Sequence, residues 1–92
     1  HIGIWGKRHL RYLKQHRKVL YSELLISGKL NDYLADINEQ AAELFSWLVK
    51  QLAEKEGVTE ALKAENQMLW VQKMNSIRNA AMEVVSSELI YA

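Results

Sequence analysis

Apolar residues recur along this chain at helical rather than alternating spacing, which predicts an all-α protein. The clearest run is Leu30, Leu34, Ile37, Ala41, Leu44 and Leu48, whose alternating steps of four and three make a coiled-coil-like seam. Upstream, Leu10, Leu13, Leu20, Tyr21 and Leu24 project to one side of a helix. Downstream, Leu62, Leu69, Trp70, Met74, Ile77, Ala81 and Val84 form a third face, interrupted by Asn66 and Lys73. Glycine punctuates these runs. Gly28 and Gly57 each fall where an apolar pattern stops, at positions suited to a left-handed helix end, and Asn31 and Thr59 follow as candidate caps. The chain therefore reads as one helical domain over 1–92, with helices over roughly 6–27, 30–56 and 59–90, in an antiparallel bundle or an extended helical arrangement.

The third predicted helix also carries a second stripe, Val71, Asn75, Arg78, Met82, Val85 and Leu89, which mixes apolar and polar groups. So broad an arc suits a helix covered on two sides, by its own bundle and by another chain. A buried Asn75 and Arg78 would then form a register-fixing polar layer; simple exposure is the rival reading. At 1.5 Å per residue the third helix would reach about 45–50 Å, against about 30 Å for the first. Its far end, with Val84, Val85, Leu89 and Ile90, is expected to overhang a monomer. A homodimer held through Trp70, Val71, Met74, Asn75, Arg78, Met82, Val85 and Leu89 is the expectation that follows.

Charge changes this picture more than composition does. Residues 1–29 hold seven basic residues against one acid, a net +6, while the remainder holds five against ten, a net −5; the overall +1 conceals the split. Lys7, Arg11, Lys14 and Lys18 fall on one narrow stripe of the first helix, flanked by Arg8, with Arg17 inside the apolar arc. The stripe reads either as a phosphate-tracking ridge or as an ordinary solvated face. Asp32, Asp36, Glu39 and Glu43 repeat on the second helix opposite its seam, facing away from the core. They would meet the basic stripe of a second chain, turn nucleic acid away from that face, or simply aid solubility.

The chemistry of catalysis is sparse. With 92 residues and no cysteine, the chain affords one modest core and neither disulfides nor thiolate chemistry. Its lack of cysteine fits a reducing compartment, and it has no apolar run of the ~18 residues needed to span a bilayer. His9 and His16 lie seven apart, too far for one metal, on a face shared with Tyr12 and Glu23. Two histidines at a helix interface are the plainer reading. No Glu-x-x-His repeat, phosphate-binding glycine loop, nucleophile elbow or clustered acid pair occurs, so no catalytic, cofactor-binding or metal-ligating residues are assigned and no enzyme activity is expected. Among the aromatics, Phe45 and Trp70 fall on apolar faces, Trp47 sits off the seam as a partly exposed contact, and Trp5 is expected to fold over the start of the first helix. As base-stacking platforms they are unspecific.

Longer phrases are more specific. Tyr12-Leu13-Lys14 with His16-Arg17, Ser27-Gly28-Lys29-Leu30, Gly57-Val58-Thr59, and Gln67-Met68-Leu69-Trp70-Val71 leading to Met74-Asn75 and Ile77-Arg78 resemble the TnpV family of small proteins encoded within bacterial transposons and related mobile elements. The resemblance extends from Gly3 to Tyr91. Because family members tend to carry a further stretch before the Gly3–Gly6 segment, it also suggests an N-terminally trimmed chain. It implies a bacterial cytoplasmic accessory protein working near transposon DNA, and it supplies no catalytic residues. In that setting Lys7, Arg8, Arg11, Lys14 and Lys18 are candidates for contacting DNA. The alternative is an interaction module that docks an acidic surface, on another copy or on a recombinase of the same element.

Overall fold

The computed structural model describes residues 2–92 and is all-α. Five α-helices follow one another: α1 (Gly3–His16), α2 (Lys18–Ile26), α3 (Leu30–Glu56), α4 (Glu60–Glu65) and α5 (Gln67–Val85), and the last runs into a π turn, Ser86–Ile90. The central α3 is the spine of an elongated body of 55 × 21 × 18 Å. Its expected seam is inward-facing, with Leu34 and Ala41 fully covered and Leu30, Ile37, Leu44 and Leu48 half-buried.

Helices α1 and α5 both run antiparallel to α3. Along α1 the contacts progress from Asn38 at Trp5 to Tyr33 at His9. The core divides along the spine. Trp5, Ala41, Val85 and Ile90 form one cluster, capped by Phe45 and Leu89; Val58, Met74 and Ile77 form the other, against Val49, Leu52 and Trp70. Fully burying side chains such as those of Val85, Ile90 and Ile77 stabilises the fold by about 1.5–3 kcal/mol each.

Both predicted glycine stops occur. Gly28 and Gly57 have φ of 73° and 69°, where a Cβ would strain the backbone. After α3, the Val58 N–H bonds the Ala53 carbonyl at 2.8 Å and that of Gly57 bonds Glu54, so two terminal carbonyls are satisfied while Val58 folds into the core. Gly28 and Lys29 close α2 on Leu25 and Leu24 in the same way. Thr59 caps α4, its Oγ1 accepting from the Leu62 N–H at 3.2 Å. Asn31, however, lies inside the first turn of α3 and caps nothing.

Two of the three expected long helices are broken. The first ends at His16 and restarts at Lys18, around Arg17 at φ −134°, ψ 56°. Six cations within residues 7–18 repel one another at helical spacing and weaken a continuous helix there. The third breaks at Asn66, whose side-chain oxygen takes the Leu69 N–H at 3.2 Å and so starts α5 instead of continuing α4.

The expected overhang of the third helix is also corrected. Val85 and Ile90 are wholly buried and Leu89 is half-buried, while Val84 stays exposed. The buried positions of the last helix are Met74, Ile77, Ala81, Val85 and Ile90, and the final step of five is the π turn, closed by the Tyr91 N–H on the Ser86 carbonyl at 2.8 Å. One extra residue per turn keeps the chain end on the core where an α-helix would rotate it away. Trp5 likewise does not fold over α1; it lies within its first turn and packs into the core, its ring 5.8 Å from that of Phe45.

Candidate nucleic-acid interface

Helix α1 is seated through two anchors in its N-terminal half. Its first turn has no cap of its own, and the side-chain oxygen of Asn38 on α3 supplies one, accepting from the N–H groups of Trp5 at 3.1 Å and Gly6 at 3.2 Å. Gly6 permits this closeness: a Cβ there would stand 3.0 Å from the Leu34 carbonyl oxygen. One turn further on, His9 is buried. Its Nδ1 lies 2.7 Å from the Ile90 carbonyl oxygen, which can only accept, so Nδ1 carries the proton. In the neutral ring Nε2 is then the acceptor for the Tyr33 hydroxyl at 2.9 Å. The histidine thus joins α1, α3 and the π turn, and burial pushes the Tyr33 hydroxyl above its ordinary pKa of 10.0, with Arg17 opposing the shift more weakly.

With its inner face fixed this way, α1 turns its cations outward. Lys7, Arg11 and Lys14 are exposed on α1, and Arg8 is half-buried with its guanidinium 5.4 Å from the centre of the Trp5 ring. Lys18 is exposed too, but the break at Arg17 makes it the first residue of α2 and removes it from the straight stripe of α1. There it sits at the positive end of a helix that has neither an acid in its first turn nor a side-chain cap. Arg17 reaches across to the chain end, its Nη1 donating to the Ala92 carbonyl at 3.5 Å. Asp32, Asp36, Glu39 and Glu43 are all exposed on α3.

The residues expected at a dimer interface part ways. Met74 and Val85 belong to the core of the single chain, and Trp70 and Leu89 pack beside it. Val71, Asn75, Arg78 and Met82 are exposed. With Met68, which is 74% exposed, they make a stripe at steps of three and four along α5. Trp47 is exposed as expected.

Two open hollows flank α1 on the side of the π turn, of about 770 Å³ and 370 Å³, and both are bordered by Arg8 and Tyr91. Sequence patterns did not single out Tyr91, because it follows the last helical turn and belongs to no periodic face. The rings of Tyr12 and Tyr91 meet edge to face at 5.6 Å, and Tyr12 also lies against His9 and His16 at 6.1 and 5.3 Å. Of the histidine pair, His9 is thus at a helix interface whereas His16 is exposed. Glu23 is exposed on α2. Among the described residues no group of three or more His, Asp or Glu stands where it could hold a metal ion, and no helix is long and apolar enough to cross a membrane.

The family model described as transposon-encoded protein TnpV matches residues 1–90. No curated protein and no solved structure matches the chain.

Proposed function

The chain belongs to the TnpV family of transposon-encoded proteins, and from that premise we propose that it is a non-enzymatic accessory protein of a mobile element that contacts DNA through its basic first helix. The observation that carries this reading is the outward display of Lys7, Arg11 and Lys14 on a helix whose other face is anchored by Asn38 and His9. A fixed row of cations neutralises successive phosphates without first losing the entropy of ordering a flexible segment. Lys18 and Arg8 extend the positive surface at either side, and the exposed acids of α3 discourage a polyanion from settling there instead.

Changing Lys7, Arg11, Lys14 and Lys18 together to Glu is expected to abolish binding to duplex DNA with helicity unchanged. For the unmodified protein, each phosphate contact adds about −0.9 to the slope of log affinity against log salt. Retention of full affinity by the quadruple variant would sink the assignment.

A second reading is favoured by the exposure of Met68, Val71 and Met82 on α5. Here the protein is an interaction module that pairs with a second copy through that stripe, Asn75 setting the register. Light scattering across a concentration series tests it. A monomer at all concentrations overturns it, and a dimer that Met82→Glu dissociates supports it.

A further inference from the structure

We propose that the groove between α1 and the π turn binds single-stranded nucleic acid, with an unstacked base on Tyr91 and the adjoining phosphates on Arg8 and Arg11. The proposal rests on the DNA-contacting role of α1 and names the form of nucleic acid that one side of it takes.

Three features of the groove point to this ligand. Tyr91 is 51% exposed, yet its ring is braced edge to face against Tyr12, which is itself packed against His9; a platform held from behind costs little entropy when a base settles on it. Arg8 and Tyr91 border both hollows, so each hollow offers a cation and an aromatic ring to one ligand, and Arg11 lines the smaller one. The larger hollow then continues with Asn79, Glu83 and Ser86, groups that accept from and donate to the edge of a base.

Glu83 also decides which part of the nucleotide enters. A carboxylate repels phosphate but accepts hydrogen bonds from exocyclic amino groups, so bases point into the larger hollow and the backbone stays along Arg8 and Arg11. A duplex cannot place a base on Tyr91, because its bases are stacked on one another and their Watson–Crick edges are paired. Lys7 and Lys14 line neither hollow and remain available to either form of DNA.

The test compares a fluorescent mixed-sequence single strand, an abasic strand of equal length and a duplex, by anisotropy, with melting curves recorded for every variant. The expected result is weaker binding of the abasic strand, an about tenfold loss of single-strand affinity in Tyr91→Ala with duplex affinity unchanged, and recovery in Tyr91→Phe. If duplex and single strand bind in a salt-sensitive way while Tyr91→Ala matches the unmodified protein on both, the groove assignment is overturned and the basic-helix reading stands. If a Tyr91→Ala protein of lowered melting temperature loses affinity for both forms equally, the platform is likewise overturned. If the unmodified protein binds none of the three at low salt, both readings fall.

Discussion

The Nδ1 of His9 and the carbonyl oxygen of Ile90, eighty-one positions apart, meet at 2.7 Å inside the protein. Because a carbonyl only accepts, this contact sets the tautomer of the ring and leaves Nε2 to receive the Tyr33 hydroxyl. Replacing His9 by Ala orphans a buried carbonyl and a tyrosine hydroxyl while opening a cavity. A loss of about 3 kcal/mol in urea unfolding is expected. The π turn should exchange its amide protons faster than in the unmodified protein.

Tyr33 links the same contact to pH. Its pKa is raised by burial, so the folded protein holds the phenolic proton more tightly than the unfolded chain does. The contribution is fully present below the ordinary value of 10.0 and is lost as pH rises through the folded value. Stability measured by denaturant titration should therefore decline above about pH 10. In Tyr33→Phe that part of the decline should vanish, on top of a pH-independent loss of about 1 kcal/mol for the missing hydrogen bond.

Asn38 caps a helix that lies over thirty positions away in sequence. Asn38→Ala removes the acceptor of the Trp5 N–H and one of the two acceptors of the Gly6 N–H, which keeps the Ile2 carbonyl at 3.2 Å, and should cost about 1 kcal/mol. Asn38→Asp keeps an acceptor and adds negative charge at the positive end of α1, so its melting temperature should match or exceed that of the unmodified protein. Equal melting of all three would show that water satisfies the first turn as well as the side chain does.

Gly57→Ala meets no neighbouring atom, so its cost isolates the backbone term at φ 69°. About 1–2 kcal/mol is expected by chemical denaturation.

Helix α2 has no buried residue, and Val19, Leu25 and Ile26 are exposed to 74%, 54% and 86%. Hydrogen exchange should find its amides opening well before those of α3, as local unfolding there exposes little apolar surface that is not exposed already. Protection of α2 equal to that of α3 would contradict this.

Elements governed by neighbours in sequence were legible in advance. The seam from Leu30 to Leu48, the left-handed stops at Gly28 and Gly57 and the Thr59 cap all follow from spacing and local backbone chemistry. Asn66 carried a usable signal as well, since asparagine within a helical run competes for backbone N–H groups, but the apolar pattern ran through it. The break at Arg17 had no breaker residue to announce it. It falls among six cations whose helical spacing weakens a continuous helix, and α1 and α2 each pack on α3.

The candidate site divides in the same way. Exposure of Lys7, Arg11 and Lys14 was readable from their shared face on one helix. The displacement of Lys18 from that helix, and the placing of Arg8 and Tyr91 on the same hollows, were not, because each depends on where the chain turns.

Helical class, the central seam and the opposition of a basic N-terminal segment to an acidic remainder were determined by residue order alone, since each arises from interactions within a few positions along one helix. Tertiary structure decided which apolar residues became core, which histidine was buried and where the chain end came to rest. Those outcomes depend on side chains from α1, α3 and the π turn competing for the same space, and the five-residue step from Val85 to Ile90 exists because it satisfies all three.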